Sequence, residues 1–254
     1  MKITFLGTGA ADFSPLLQTE CKDRLDLNAR RSSAVLLNAC VLIDCGPHVL
    51  DAMRILHLDA RRVTDLLVTH FHGDHFDPHT VSKLAANREK PLRIWYSEKA
   101  PAPQMDHVHL CPLKVGEKAL VGGMEVIPLA ANHTAWPVHY DISVQDKRLF
   151  YGCDGAWLLN DTFYAMMQRK YQVMILDGTV GDYQGDYRLG EHNSIPMLRL
   201  MAASFKSQQV LAEDGVMIVS HIARTLHLPH AETAALLQKD GFMTAFDGME
   251  WHMH

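Results

Sequence analysis

Nothing in the 254 residues approaches the run of about 18 apolar side chains that a membrane-spanning helix needs. The N-terminus briefly imitates a leader, but the apolar stretch Lys2–Leu6 stops at Gly7-Thr8-Gly9, too short for a signal-peptide core. Cysteine is equally sparse. The five thiols, at 21, 40, 45, 111 and 153, form no C-x-x-C pair. That argues against a disulfide framework or zinc ribbon and for reduced cysteines in the cytoplasm. Also missing is any run of lysine and arginine. With 24 basic against 29 acidic residues the formal charge is −5, so the basic stripe of a general nucleic-acid binder is absent. Hydrophobic residues at 48% and charged residues at 21% exclude disorder. What the chain has in excess is histidine, 16 of them.

Short apolar runs bounded by Gly, Pro, Asp or Asn recur along the chain and predict strands over Lys2–Leu6, Ser33–Leu37, Val41–Ile43, Asp65–Val68, Leu92–Tyr96, Met124–Leu129, Tyr140–Val144, Arg148–Tyr151, Val173–Leu176 and Val216–Val219. Helical periodicity predicts helices over Pro47–Leu58, Pro78–Ala86, Asp161–Arg169, Ser194–Phe205 and Pro229–Gln238. Strand-dense halves punctuated by helices indicate two sheets with helices outside them, an α/β layered sandwich. The stretch Asp12–Ser32 has no hydrophobic period and reads as a loop excursion. No repeat or linker divides the chain, so residues 1–254 are expected to form one domain.

The segment Thr69-His70-Phe71-His72-Gly73-Asp74-His75 follows the predicted strand Asp65–Val68. Imidazoles this crowded would repel one another if charged and would lack partners if buried, unless a divalent cation takes their nitrogens and the carboxylate. His70 and His72 are spaced to face one metal from a loop leaving a strand, while Asp74 and His75 turn toward a second. A polar turn with coincidental histidines is the bland alternative.

This H-x-H-x-D-H signature resembles that of the metallo-β-lactamase superfamily of dinuclear metallohydrolases. The similarity extends through Phe5-Leu6-Gly7-Thr8-Gly9, Val41-Leu42-Ile43-Asp44-Cys45-Gly46, Asn132-His133, Gly152-Cys153-Asp154 and Ser220-His221-Ile222. The resemblance implies an αββα four-layer sandwich holding two divalent ions per chain, zinc or manganese, with iron also accepted by such donors. By position His70, His72 and His133 would hold one ion and Asp74, His75 and His221 the other. Asp154 would bridge them, its negative charge offsetting the repulsion of two dications. Asp44 would orient a ligand imidazole from behind. Asp154 at the bridging position argues against a cysteine-ligated second site, and His72 stands where the flavodiiron branch has Glu.

Within the superfamily the chain is most similar to the phosphoribosyl 1,2-cyclic phosphate phosphodiesterases of the carbon–phosphorus lyase pathway. Arg30-Arg31, Glu191-His192-Asn193 and Phe246-Asp247-Gly248-Met249-Glu250 carry that likeness. It implies that His192 protonates the leaving oxygen, a task suited to imidazole near neutral pH. Arg30 and Arg31 are candidates to clamp phosphate, and His139 to line the pocket. The chain departs from this branch in one respect. Only Cys21 remains of an N-terminal cysteine cluster, and Arg224 stands where a further histidine would complete a structural zinc site, so no third metal is expected.

The implied activity is hydrolysis of a small, cyclic, sugar- or nucleotide-derived phosphodiester by a metal-bridging hydroxide, with Asp74 positioning it. Two enzyme alternatives share these ligands: an RNA-processing nuclease, disfavoured by the charge of −5, and persulfide or thioester chemistry. A non-catalytic metal scaffold is a fourth reading. The expected partner is the substrate alone, with neither membrane nor nucleic acid, and a homodimer is compatible with the sequence. The remaining histidines, at 48, 57, 79, 107, 109, 227, 230, 252 and 254, read as loop, helix-edge or tail residues without a function.

Overall fold

In the computed structural model of the chain, residues 1–253 are described, and the predicted strands pair into two mixed sheets. In chain order the strands are β1 (Lys2–Gly7), β2 (Ala34–Leu37), β3 (Val41–Ile43), β4 (Asp65–Leu67), β5 (Leu92–Ser97), β6 (Val108–Leu113), β7 (Ala119–Val121), β8 (Met124–Ala130), β9 (Val138–Val144), β10 (Lys147–Gly152), β11 (Tyr171–Asp177), β12 (Leu211–Ser220), β13 (Phe242–Thr244) and β14 (Glu250–His252). The first sheet runs β14-β1-β2-β3-β4-β5-β6 and the second β13-β12-β11-β10-β9-β8-β7. Each begins as an antiparallel meander and continues with parallel strands, β3 to β6 in one and β10 to β13 in the other.

Alternation along the strands decides what each face meets. Val35 and Leu37 join Ile3, Phe5, Val126, Tyr140, Ile142 and Ile175 in the core between the sheets. Ala34 and Leu36, pointing the other way, pack with Val49, Met53 and Leu84 of helices α1 (Val49–Ile55) and α2 (Pro78–Ala85). On the second sheet Phe150, Met174 and Leu176 meet Met166, Leu198, Phe205 and Leu237 of α3 (Asn160–Met167), α4 (Ile195–Ser207) and α5 (His230–Lys239). The layers are therefore helix, sheet, sheet, helix. Strands buried on both faces explain why the runs are uniformly apolar.

Sequence-predicted helices start where their caps allow. Asp77 accepts from the Thr80 N–H at 2.8 Å to open α2, and Ser194 caps α4 with Pro196 in its first turn. Four edge strands, β6, β7, β13 and β14, escape the sequence reading. Strands β7, β13 and β14 have three residues each, too few to display a period, and exist because a neighbouring strand offers unpaired backbone groups. His109 lies exposed on β6 and His252 on β14, and His107 is exposed beside β6, while His254 falls outside the described residues.

The excursion 12–32 carries a single 3-10 turn, Pro15–Gln18. Its two arginines correct an expectation. Arg31 is buried, its Nη2 donating to the carbonyls of Cys21 at 2.7 Å and Arg24 at 3.2 Å, and its backbone N–H to Asp247 Oδ2 at 2.8 Å. Arg30 Nη1 donates to Thr8 Oγ1 and to the Ala245 carbonyl, both at 2.6 Å, and its Nη2 meets His230 Nδ1 at 2.8 Å. These donors are spent on the chain itself, tying the excursion to the C-terminal turn around Asp247. Neither arginine is a phosphate clamp. Replacing Arg31 with Ala leaves the Cys21 and Arg24 carbonyls without their donor and removes a 3.7 Å buried ion pair with Asp247, and urea unfolding should report a loss of about 3–5 kcal/mol.

Candidate metal centre

The carboxyl ends of strands from both sheets converge on one cleft. Asp44 follows β3, His70 comes just beyond β4, His133 beyond β8 and Asp154 beyond β10; Asp177 closes β11 and His221 follows β12. The loop carrying His72, Asp74 and His75 is pinned to the turn after β3: the Cys45 N–H donates to the His75 carbonyl at 2.7 Å, and the Asp77 N–H to the Cys45 carbonyl at 2.9 Å. Gly46 permits this approach, because a Cβ there would fall 1.9 Å from the Asp74 carbonyl oxygen. Asp44 and His221 hold left-handed backbone, φ 61° and 55°.

Two donor groups result. His70 Nε2 lies 3.0 Å from His72 Nδ1, which lies 3.2 Å from His133 Nε2. In the second group His75 Nε2 and His221 Nε2 are 3.1 Å apart, and Asp74 Oδ2 is 3.4 Å from each. Asp154 stands between them. Its Oδ2 is 3.2 Å from His75 Nε2 and 3.7 Å from both His70 Nε2 and His133 Nε2, while its Oδ1 is 3.0 Å from His221 Nε2. An ion with metal–nitrogen bonds of about 2.0–2.1 Å sets neighbouring donors roughly 2.9–3.4 Å apart, so this spacing fits shared cations. Despite its short contact, Asp154 Oδ1 is buried without a hydrogen bond of acceptable geometry, as expected of an oxygen facing an ion.

The opposite edges of the rings explain why lone pairs face inward. Asp44, fully buried, accepts from the Thr69 N–H at 2.8 Å, from the Thr69 hydroxyl at 2.9 Å and from His75 Nδ1 at 2.7 Å. With its proton given to Asp44, Thr69 Oγ1 accepts from His70 Nδ1 at 3.0 Å. The second sheet repeats the device. Thr179 Oγ1 donates to Asp177 Oδ2 at 3.0 Å and accepts from His221 Nδ1 at 2.8 Å. Asp177 also accepts from His192 Nδ1 at 2.8 Å, and His133 Nδ1 donates to the Glu191 carbonyl at 3.0 Å. His70, His75, His133 and His221 are thereby held in the tautomer that leaves Nε2 unprotonated and turned inward.

Electrostatics point the same way. Burial lowers the His70 and His133 pKa values, keeping both rings neutral and able to ligate. Burial would also lower His75 and His221, but carboxylates dominate: Asp154, Asp74 and Asp44 raise His75 well above the imidazole range, and Asp154 helps push His221 up to about 10. A site that draws protons this strongly favours a dication in their place.

His139 corrects a second expectation. It is buried under the turn at Gly155, where a Cβ would approach its Cε1 to 2.7 Å, and it packs on Phe150 instead of lining the cleft. Burial pushes its pKa down to about 4. Residues the sequence reading passed over are Thr69, Thr179, Asp177 and Asp12. Asp177 ends an apolar strand run, a position where a carboxylate projects into a cleft. Asp12 accepts from the backbone N–H groups of Arg224 at 2.9 Å and Thr225 at 2.7 Å, clasping the loop after His221. Arg224 thus serves a loop clasp, and Cys21 is buried with Leu17 and Ala29.

Asp44→Asn cannot accept from all three of its donors, so metal affinity should fall roughly 10–100-fold in chelator competition, and Thr179→Val should weaken binding in the same direction. His139→Phe keeps the ring while removing two nitrogens that lack partners, so thermal unfolding should show stability held or raised by about 1 kcal/mol.

A profile for the metallo-beta-lactamase superfamily matches residues 27–76. The human zinc phosphodiesterase ELAC protein 1 is 40% identical over 79 residues, 30% of this chain and only 18% of that protein. Among solved structures, zinc-bound PqqB from Methylobacterium extorquens aligns over 100% of both chains with a TM-score of 0.77 and 17% identity. A diphosphatase from the PhnP family aligns over 100% of this chain and 98% of its own, with a TM-score of 0.73 and 18% identity. At such identities the structural likeness speaks for the fold. The sequence match thus spans the first two donor-bearing turns, and the fold is shared end to end with these solved structures.

Proposed function

We propose that residues 1–254 act as one metal-dependent phosphodiesterase domain whose substrate is a small phosphodiester, cyclic and derived from a sugar or nucleotide. The observation that carries this reading is the pair of donor groups joined at Asp154 with the His192–Asp177 pair beside them. His70, His72 and His133 would hold one divalent ion and Asp74, His75 and His221 the other. Zinc or manganese suits these nitrogen and oxygen donors. Such ions supply Lewis-acid activation of water and neutralise charge on the phosphoryl oxygens.

The chain's own residues do the rest. Asp74 borders the cleft, which has a volume of about 200 Å³, and accepts a hydrogen bond from the attacking water, fixing its direction. His192 also borders that cleft, its ring 5.0 Å from that of His133 and 5.5 Å from that of His221. With Nδ1 committed to Asp177, its Nε2–H is the proton to give to the departing oxygen. Burial would lower its pKa, but the Asp177 carboxylate raises it above the ordinary imidazole value, which favours the acid form. Asp177 also holds the ring's orientation through the transfer.

The test is a turnover screen of cyclic phosphodiesters and bis(p-nitrophenyl) phosphate, using protein of measured metal content. Chelation should abolish turnover and added Mn²⁺ or Zn²⁺ restore it. Asp154→Ala should lose bound metal and nearly all activity; an active variant would refute the shared-ligand assignment. His192→Ala should lower kcat by roughly 10²–10⁴-fold with metal content retained.

The local 40% identity with ELAC protein 1, the short form of human tRNase Z, supports a second reading, RNA processing. The charge of −5 weighs against it. RNA cleavage with a steep salt dependence of binding would favour it over the first.

A further inference from the structure

Thr64 and Arg93 stand at the amino ends of β4 and β5, and with His109 of β6 they border a cavity of about 820 Å³, larger than the cleft of about 200 Å³. His70 follows β4 at its other end, so this cavity and the metal centre lie at opposite poles of the first sheet. The cavity wall is cationic. Arg61, Arg88, Lys90 and Arg93 line it against one carboxylate, Glu89, among the described residues. Even with Asp59 and Asp65 counted, which pair with two of the arginines, the wall keeps a positive surplus in a chain whose formal charge is −5. Local structure fixes three of these cations. Arg93 pairs in register with Asp65 on one side and His109 on the other, and its Nε and Nη2 donate to the two Asp65 oxygens at 2.7 and 2.6 Å. Arg61 forks onto Asp59 in the same way, at 3.0 and 3.2 Å. In both, Nη1 has no partner among the described residues. Arg88 spends its guanidinium on the carbonyls of Leu84, Ala60, Arg61 and Val63, which locks the end of α2 to the turn before β4 and brings in a charge with no carboxylate of its own. Lys90 has no ion-pair partner among the described residues.

We propose that this cavity binds a small molecule carrying two or more phosphoryl groups, at a site separate from the metal centre. The free donors set the chemistry of the ligand. Two unspent Nη1 groups, the Lys90 ammonium and the His109 imidazole arrive from four separate segments of the chain, so several oxyanion groups are needed to meet them. A guanidinium already held by a carboxylate binds an oxyanion with little further loss of side-chain freedom. The volume falls within the range of small-molecule sites, about 300–1,000 Å³. Nucleic acid is disfavoured, because no Phe, Tyr or Trp lines the cavity among the described residues and bases find no stacking platform. An oligophosphate chain, a phosphorylated polyol and a nucleotide share the chemistry that the wall recognises. The site does not rest on the phosphodiesterase reading, since none of its residues borders the cleft.

The experiment is calorimetry on the metal-loaded full chain at physiological ionic strength, with magnesium tripolyphosphate, myo-inositol hexakisphosphate, ATP and inorganic phosphate as probes. Tripolyphosphate is supplied as its magnesium complex so that the metal centre is not stripped, and metal content is measured before and after. At least one of the first three probes should bind about 10-fold or more tightly than inorganic phosphate, and their order tells which source of phosphoryl groups is preferred. The double variant Arg61→Gln/Lys90→Gln removes two exposed charges while leaving the Arg93–Asp65 pair and the Arg88 carbonyl contacts in place. It should weaken the preferred probe by roughly 10–100-fold. Lys170→Gln/Lys206→Gln removes the same charge from a different cavity and should change that affinity by less than about threefold. The difference between the two double variants locates the site even if the metal centre also takes up the probe, and thermal unfolding confirms that both are folded. Absence of binding, no advantage over inorganic phosphate, or an equal loss in both double variants overturns the assignment. So does single-stranded RNA that binds more tightly than every small probe and loses that affinity in Arg61→Gln/Lys90→Gln.

Discussion

Burying several carboxylates and imidazoles together is the constraint on which this molecule depends. Uncompensated, buried charges cost several kcal/mol each, and no hydrophobic core tolerates many of them. Compensation comes in two layers. Facing inward, the donors are spaced for divalent cations; facing outward, every ring edge finds a protein acceptor. The outward layer is built twice, as Asp44–Thr69–His70 on one sheet and Asp177–Thr179–His221 on the other. Each aspartate reaches a further histidine directly, His75 in one case and His192 in the other. A threonine hydroxyl suits the middle position because it donates to a carboxylate and accepts from an imidazole at once.

The sheets make this convergence possible. Both are apolar on both faces, which leaves the strand ends as the places where polar side chains gather. Parallel strands β3, β4, β10, β11 and β12 all deliver their carboxyl ends to the same edge of the sandwich, so residues from position 44 to position 221 meet within one cleft. The shared core between the sheets holds the two halves in register. The arginines of the excursion belong to this scaffold: Arg30 and Arg31 stitch the chain's C-terminal turn to its first loop. The charge of −5 is thus an average over an interior that concentrates carboxylates and a surface that balances them.

Much of this was legible in the sequence because the signals are local. Ten of the fourteen strands and all five helices announce themselves through period and caps, and His70, His72, Asp74 and His75 through crowding that only a cation relieves. His133, Asp154 and His221 were legible only through family resemblance, since an isolated histidine or aspartate after a strand has no spacing to read. Short edge strands left no trace, because pairing is supplied by the neighbour. His139 and the arginine pair misled for a common reason: a polar side chain looks the same in a sequence whether it faces a cleft or is spent beneath one.

By itself, then, the sequence determined the layer architecture, the exclusion of membrane-spanning helices, and the donor types crowded behind β4, all consequences of composition and short-range spacing. Tertiary structure alone decided which polar residues share the cleft. Only it recruited Thr69, Thr179 and Asp177 to the site and withdrew Arg30, Arg31 and His139 from it. The physical reason is that a hydrogen bond between residues more than a hundred positions apart in the chain depends on where two strand ends arrive, and no local pattern encodes that arrival.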